Sequence, residues 1–213
     1  MNRRDRHPGA ARRATHAVLA AILFFAAGCN GPDRGALKPG DFFATEVGTE
    51  WRYLGHGNEF ATYSAAVTHR EGNLFQLVVF SGADIAHVYE IRPDRVVRRL
   101  RSGELEFREQ SFLGGPFLEE YTVLEAPLEA GREWAATAVF PNGTSVERRR
   151  IEGVGLTLDT PAGRFENVIL VRVSYESGND GLEYYAPGVG LVRSEYLGLE
   201  PVISELEAFT RGK

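Results

Sequence analysis

Short runs rich in Val, Ile, Phe, Tyr and Thr recur along the chain from Trp51 onward, and Gly, Asn, Asp or Pro residues separate them. This pattern is typical of β-strands joined by turns. No window longer than about ten residues shows the 3.6-residue periodicity of an amphipathic helix. The chain is therefore predicted to be mainly β with little helix, and its strands are expected at Glu50–Leu54, Thr62–His69, Leu74–Ser81, Ile85–Ile91, Val96–Leu100, Leu105–Glu109, Glu119–Val123, Glu133–Phe140, Ser145–Glu152, Val154–Thr160, Val168–Tyr175, Leu182–Tyr185, Gly190–Tyr196 and Ile203–Phe209.

The sequences of two predicted strands indicate which face of each strand is buried and which is solvated. In "VILVRVSYE", the apolar residues of Ile169–Tyr175 alternate with Arg172 and Ser174, so the apolar set is expected on one buried face. In "SVERRRIEG", three consecutive arginines, Arg148–Arg150, interrupt the apolar residues. Charge runs of this kind usually keep a surface soluble, so we interpret these arginines as a solvated face rather than an anion site.

The first thirty residues have the pattern of an export signal. The leader carries five arginines and one acid, Asp5, and the apolar run Ala17–Ala27 ("AVLAAILFFAA") follows it. As a helix, that run would span about 16 Å, roughly half of a bilayer core. It is therefore too short for a transmembrane helix and suits the apolar region of a signal peptide.

Cys29 is the single cysteine of the chain, and it follows the small residues Ala26, Ala27 and Gly28 directly. This stretch resembles the lipobox of bacterial lipoproteins, although Ala26 stands where the family usually has Leu. The resemblance implies diacylglycerol on the Cys29 thiol, cleavage before Cys29 and acylation, for example with palmitate. Two or three acyl chains anchor a protein to a membrane far more firmly than one. The alternative is an unpaired thiol beside an ordinary cleavage site.

These features give a predicted organisation with three parts. Residues 1–28 are expected to be a lipoprotein signal peptide, residues 29–45 a membrane tether and residues 46–213 a β domain. The expected location is the cell envelope, on the extracytoplasmic side. Because Asn30 rather than Asp follows the cysteine, the chain resembles lipoproteins of the outer membrane, if the host has two membranes.

Three segments of the predicted β domain resemble a group of largely uncharacterised bacterial lipoproteins and secreted proteins. They are a "G-x-x-W-x-Y" formed by Gly48, Trp51 and Tyr53, a "PAG-x-F-x-N" at Pro161–Asn167, and a "YYAPGVGLV" at Tyr184–Val192. The resemblance implies a single antiparallel, strongly curved sheet or a partly closed barrel. It implies no catalytic residues.

The "YYAPGVGLV" segment is expected to be a hairpin that shapes the sheet. Pro187-Gly188 is typical of a type II turn, in which Gly188 takes a positive φ angle. An interior glycine usually weakens a strand, so Gly190 is expected at a bulge. A phosphate-binding glycine loop is excluded because no helix is predicted after Gly190.

Charge and cysteine content limit the classes of partner. Removal of residues 1–28 would take away five arginines and one aspartate, leaving 19 basic and 28 acidic residues and a net charge near −9. Such a balance argues against nucleic acid as a partner. With no second cysteine, the domain has neither a disulfide nor a thiolate metal site.

No catalytic constellation is recognisable in the predicted domain. Its three histidines, His56, His69 and His87, do not sit at metal-ligand spacing, and no nucleophile motif is present. The adjacent Glu119 and Glu120 would point to opposite faces of a strand, which disfavours paired acid–base work. We therefore expect no enzyme, no metal site and no cofactor.

Two classes of function are compatible with the sequence. The first is a binding module whose curved sheet holds an apolar or lipid-like ligand. The second is a structural or assembly protein of the cell envelope that acts through protein–protein contacts. Aromatic residues make up 11% of the chain and favour the first class, unless they only fill the core; they include Trp51, Tyr53, Trp134, Tyr184 and Tyr185. A cavity would favour binding, and a filled interior with an exposed apolar patch would favour assembly.

Overall fold

The computed structural model describes residues 37–140 and 143–213. Within these ranges the chain forms twelve β-strands and two short 3₁₀ helices, Pro39–Phe42 and Glu59–Ala61. The strands are β1 (Glu50–His56), β2 (Tyr63–Glu71), β3 (Leu74–Phe80), β4 (Asp84–Ile91), β5 (Arg95–Glu104), β6 (Tyr121–Glu125), β7 (Glu133–Phe140), β8 (Gly143–Thr160), β9 (Gly163–Ser174), β10 (Asp180–Ala186), β11 (Gly190–Leu197) and β12 (Val202–Thr210). No helix in the described ranges is long and apolar enough to cross a membrane.

All twelve strands belong to one antiparallel sheet. Its order is β6-β5-β4-β3-β2-β1-β12-β11-β10-β9-β8-β7, so the first and last strands pair in the middle. The edge strands β6 and β7 follow one another in the chain and contact each other, and the sheet is thus a nearly closed barrel. The prediction of a mainly β chain with a single strongly curved sheet is confirmed.

Side chains join the two edges of the sheet. The indole N–H of Trp134 on β7 donates to the backbone oxygen of Thr122 on β6, at 2.9 Å. The backbone N–H of Val139 donates to a carboxylate oxygen of Glu119, at 3.1 Å. The inward residues Ala136 and Ala138 are small and buried, which lets β6 approach β7 closely. These two bonds satisfy backbone groups at edges that would otherwise be open to pairing with another chain.

Strand ends shift from the predicted ones, most of all in β9, which begins at Gly163 rather than Val168, and in β5, which runs on to Glu104; beyond such shifts the prediction differs from the structure at two places. Ser145–Glu152 and Val154–Thr160 are one continuous strand, β8, because register shifts opposite β9 absorb Gly153 and Gly155 without ending the pairing. Leu105–Glu109 is not a strand but part of the loop between β5 and β6.

That loop packs against the outer face of the sheet. Leu113 forms a buried cluster with Val88 and Leu100, which point out of the barrel. The buried amide of Gln76 donates to the backbone oxygen of Gln110 at 2.8 Å and accepts from the N–H of Phe112 at 2.8 Å. The packed residues of the loop come after Leu105–Glu109, which is itself mostly exposed, so this strand-like stretch has no buried face to hold it in the sheet.

The predicted tether extends too far into the chain. Residues 39–45 were assigned to the tether, but Phe42 is only 1% exposed and Ala44 is also buried. Phe42 packs in the core beside Tyr185 and Trp134. The N–H of Gly188 donates to the backbone oxygen of Asp41 at 2.7 Å, which holds this segment against the β10–β11 turn. Residues 39–45 thus belong to the folded domain.

The β10–β11 hairpin is a tight turn of the predicted kind. Gly188 has φ of 67°, and the N–H of Val189 donates to the backbone oxygen of Ala186 at 3.2 Å. Gly190 also has positive φ, 97°, but it pairs regularly with Ala186. The bulge falls at Val192, between the pairs Tyr185–Leu191 and Tyr184–Arg193, so its prediction at Gly190 was wrong by two residues.

Because successive strands run in opposite directions, their connections alternate between the two ends of the barrel. We call one the N-terminal end: it holds the helix Pro39–Phe42 and the turns at residues 72–73, 92–94 and 187–189. We call the other the loop end: it holds the connections at residues 57–62, 81–83, 175–179 and 198–201.

Candidate functional site: an amphipathic cavity

The barrel encloses a cavity of about 320 Å³. This volume lies at the lower end of the range for small-molecule sites. Residues of nine strands and of the N-terminal segment line it. Because the lining positions are spread from Phe43 to Leu191, the cavity exists only when the whole sheet has curled.

One wall of the cavity is aromatic and closes the N-terminal end. The ring of Phe43 lies 6.4 Å from those of Phe75 and Tyr89 and 5.8 Å from that of Tyr185, measured between centroids. Phe75 and Tyr89 stack at 5.2 Å. Offset contacts of this kind stabilise aromatic clusters beyond the area that they bury. The segment that had been assigned to a tether therefore supplies the floor of the cavity.

Trp51 and Tyr53 on β1 present their rings to the cavity while their polar atoms bond elsewhere. The indole N–H of Trp51 donates to the backbone oxygen of Val189 at 2.8 Å, and the Tyr53 hydroxyl donates to that of Leu191 at 2.7 Å. Tyr53 stacks on Tyr63 with centroids 4.4 Å apart. Burial raises the pKa of the Tyr53 hydroxyl well above its ordinary value. This wall therefore acts as apolar surface.

Of the aromatic residues singled out in the sequence, Trp51, Tyr53 and Tyr185 line the cavity. Trp134 is buried beside the β6–β7 edges and is not a lining residue. Tyr184 alternates with Tyr185 along β10 and lies partly exposed.

The opposite wall carries a buried ion pair. Arg149 on β8 is 1% exposed, and one of its Nη atoms donates to a carboxylate oxygen of Glu183 on β10. Its other Nη atom donates to the Tyr121 hydroxyl at 2.7 Å. The Tyr185 hydroxyl donates to the same Glu183 oxygen, and the Tyr121 hydroxyl donates to Glu147. Within the described residues, Nε of Arg149 has no hydrogen-bond partner.

A second ion pair stands at the β5–β6 side. Arg98 and Glu119 form a bidentate pair, with N–O distances of 2.7 and 2.9 Å. The guanidinium lies over the ring of Tyr121, 4.2 Å from its centroid, which adds a cation–π contact. Glu119 is buried, and Arg98 is the member of this pair that lines the cavity.

His87 on β4 completes the polar wall. Its Nδ1 lies 3.2 Å from the Tyr89 hydroxyl. Burial, and the positive charges of Arg98 and Arg101, lower the pKa of its imidazole to about 3, so the ring is neutral at pH 7. The structure does not bring the three histidines together: His56 is exposed, and His69 lies beside Thr68 and Gln76.

Side chains that line the cavity near the loop end, such as Tyr63, Val79 and His87, are partly exposed. At the N-terminal end, Phe42 and Ala44 are buried. The aromatic floor therefore lies at the N-terminal end of the cavity, and the polar wall lies between this floor and the loop end.

The interpretation of Arg148–Arg150 as a fully solvated run was wrong at its central residue. Arg148 and Arg150 are exposed, but Arg149 points inward on the same face as the buried Ile151. The two-residue period of a strand places positions 149 and 151 on one face, so the sequence alternation already indicated that Arg149 shares the buried face of Ile151. Glu183 was missed because nothing in its local sequence distinguishes it from a surface acid.

Neither the lipidation site nor a metal site can be placed on this framework. Cys29 lies outside the described residues. Within residues 37–140 and 143–213, no group of three or more His, Cys, Asp or Glu side chains could hold a metal ion.

The described residues form a nearly closed antiparallel β barrel with an amphipathic cavity. No model of a known protein family matches the chain. No curated protein matches its sequence.

Three solved structures are similar over most of their length. An exported protein with a YmcC-like fold from Bacteroides fragilis has a TM-score of 0.47 and 16% identity, over 80% of this chain and 99% of that one. A lipoprotein from Parabacteroides distasonis has a TM-score of 0.43 and 15% identity, over 79% and 98%. The hypothetical lipoprotein YmcC from Escherichia coli has a TM-score of 0.37 and 10% identity, over 80% and 88%. Similarity at this level assigns no function.

Proposed function

We propose that this chain is a lipid-anchored protein of the cell envelope whose barrel binds a small, largely apolar ligand in its interior. The observation that carries the proposal is the cavity of about 320 Å³, which is lined mainly by aromatic and aliphatic side chains. A barrel whose only task was contact with other proteins would gain stability by filling such a space, because unfilled volume in a core is destabilising.

The anchor is proposed from the leader, the short apolar run and Cys29 together. The described domain begins at the N-terminal end of the barrel, where the floor of the cavity lies. Asn30 favours the outer membrane in a host that has two.

We propose a binding protein rather than an enzyme. The polar groups of the cavity pair with one another, as in Arg149–Glu183 and Arg98–Glu119. A nucleophile requires a base at hydrogen-bond distance. Within the described residues, the polar contact of His87 is to Tyr89, and no serine or cysteine lines the cavity.

A cavity-filling variant tests ligand binding. Ala65 lines the cavity and is buried, so Ala65→Phe should occupy ligand space; Ala135→Phe places the same ring on the exposed face of β7 as a control. The full-length chain is extracted from membranes, and molecules that co-purify without a covalent bond are identified by mass spectrometry. We expect a ligand with the wild type and with Ala135→Phe, but not with Ala65→Phe. Equal recovery from all three proteins would contradict the proposal.

Exposed apolar side chains favour the assembly function as a second candidate. Phe60 is 62% exposed and Leu199 is fully exposed, and both lie in connections of the loop end. Scattered apolar residues are normal on a surface, but a cluster can mark a contact site. Replacing both by Ser should abolish a specific cross-linked complex in intact cells if this function is the relevant one. Retention of that complex would leave the cavity as the functional site.

A further inference from the structure

The cavity's charges determine which ligand head group it can accept. Resting on the proposed binding function, we infer that the ligand is an uncharged amphiphile with a hydroxyl-bearing head, such as a fatty alcohol or a glycerol monoester. Free carboxylic acids and amines with the same apolar chain are excluded.

The two cations of the cavity wall are already neutralised. Arg149 is paired with Glu183, and Arg98 is held by both oxygens of Glu119. An anionic head group would have to displace one of these carboxylates or remain unpaired. Burying an unpaired charge in such a site is costly, because the solvation it loses is not replaced.

The accessible member of the Arg149–Glu183 pair is the acid. The Arg149 side chain is 1% exposed, whereas that of Glu183 is 23% exposed. An entering molecule therefore meets a carboxylate before it meets a guanidinium. The carboxylate repels another anion; because Arg149 already balances its charge, it can accept a hydrogen bond from a neutral donor but would leave the charge of an entering ammonium group unbalanced.

Glu183 keeps an oxygen that can accept a hydrogen bond from a ligand. Within the described part of the chain, both bonds to Glu183 end on Oε2, so Oε1 is left to accept a bond from a ligand. A hydroxyl group can donate to that oxygen and also accept a bond. The partly exposed Tyr63 lines the same cavity and has a hydroxyl that can donate.

The remaining titratable groups of the wall are neutral near pH 7. The imidazole of His87 is unprotonated because its pKa is lowered to about 3. Burial, together with the charge of Glu183, raises the pKa of the Tyr63 and Tyr185 hydroxyls, which therefore stay protonated. A charged head group of either sign would find no unpaired opposite charge among these groups.

The test compares three probes that share one twelve-carbon chain: monolauroylglycerol, laurate and dodecylamine. The concentration of each probe that displaces the uncharged dye N-phenyl-1-naphthylamine from the full-length protein is measured at pH 7.5. The fluorescence of Trp51 on the cavity wall gives a second signal of binding. We expect the monoester to compete at an at least tenfold lower concentration than either charged probe. Equal or stronger competition by laurate or dodecylamine would overturn the head-group inference. Failure of the dye and of all three probes to bind would instead overturn the proposed binding function.

A charge variant tests the role of Glu183 directly. Glu183→Gln keeps the side-chain shape but leaves Arg149 unpaired, so laurate should gain at least tenfold relative to the monoester. Glu152→Gln removes a carboxylate from Arg172 on the outer face and should leave the ratio unchanged. An unchanged ratio in folded Glu183→Gln would contradict the inference. If circular dichroism shows that this variant is unfolded, the neutral double variant Arg149→Gln/Glu183→Gln replaces it and should retain the preference for the monoester.

Discussion

Arg149 on β8 and Glu183 on β10 form an ion pair inside the barrel, and one strand, β9, separates them. Each side chain balances the charge of the other inside the barrel. Removing one partner of such a pair is usually far more costly than replacing both by apolar residues. The pair therefore links the stability of the barrel to the electrostatics of its cavity.

Unfolding measurements on a double-mutant cycle should show this coupling. We expect Glu183→Leu to lower the free energy of unfolding by about 3 kcal/mol, because Arg149 is left buried without its partner. Arg149→Met/Glu183→Leu should be less destabilised than Glu183→Leu alone. Urea denaturation of the four proteins measures the cycle, and a double variant that loses the sum of the two single losses would refute the coupling.

Trp134 is expected to be a principal support of the β6–β7 contact. Its ring is buried among core residues, and its N–H bonds to Thr122 across the two edges. Trp134→Ala should cost about 3–5 kcal/mol through lost burial and the cavity left behind. Trp51→Ala should cost a similar amount, and Phe107→Ala on the exposed β5–β6 loop should cost little. Urea midpoints of the two Trp variants that match the wild type would show that neither residue supports the core.

The alternation of the strands could be predicted because their period is two and one face is buried. The residues of "VILVRVSYE" divide as expected: Val171 and Val173 are fully buried, whereas Arg172 pairs with Glu152 on the outer face. Trp51 and Trp134, two of the aromatic residues singled out in the sequence, are buried as well. These properties depend on local sequence and on a buried face, both of which the pattern contains.

The cavity could not be predicted, because it depends on contacts between distant strands. Glu183 meets Arg149 only through the register of β8, β9 and β10. The local context of Arg149, between two exposed arginines, favoured the wrong face. Phe43 was assigned to a tether because the Gly and Pro residues before it resemble a linker, although its ring closes the cavity floor.

The β10–β11 turn offers a test of backbone strain. Gly188 has φ of 67°, a region that β-branched residues rarely adopt, and a Cβ there would lie 2.9 Å from a guanidinium nitrogen of Arg211. Gly188→Val should therefore cost more than about 1 kcal/mol. Gly103→Val is the matched control, because Gly103 has an ordinary φ and open space around it. Thermal melting should separate the two variants, and equal melting temperatures would make this turn a candidate binding loop instead.

Acylation of Cys29 is tested by metabolic labelling with a fatty-acid analogue. A thioether-linked diacylglycerol requires the thiol, so Cys29→Ser should lose the label and should no longer sediment with membranes. The wild type should retain both properties. Equal labelling of the two proteins would exclude Cys29 as the lipidation site.

The buried imidazole of His87 predicts a pH dependence of stability. In the unfolded chain this group has a pKa near 6.5, whereas in the barrel burial and the charges of Arg98 and Arg101 lower the pKa to about 3. Between these values the unfolded state binds the proton, so the free energy of unfolding falls as the pH is lowered from about 6.5 towards 3. Above pH 6.5 the imidazole is neutral in both states and adds no dependence.

His87→Gln removes this contribution. Because the side chain is partly exposed to the cavity, we expect the wild type to lose about 1 kcal/mol more than His87→Gln between pH 7.5 and pH 5, rather than the full linkage value of about 2 kcal/mol. The pKa values of Glu90 and Glu152 are lowered by their hydrogen bonds to arginines, so these carboxylates titrate below the measured interval and affect both proteins alike. Urea unfolding at the two pH values provides the measurement. Equal losses in the two proteins would show that His87 can be protonated inside the barrel, and the cavity would then be more hydrated than its lining implies.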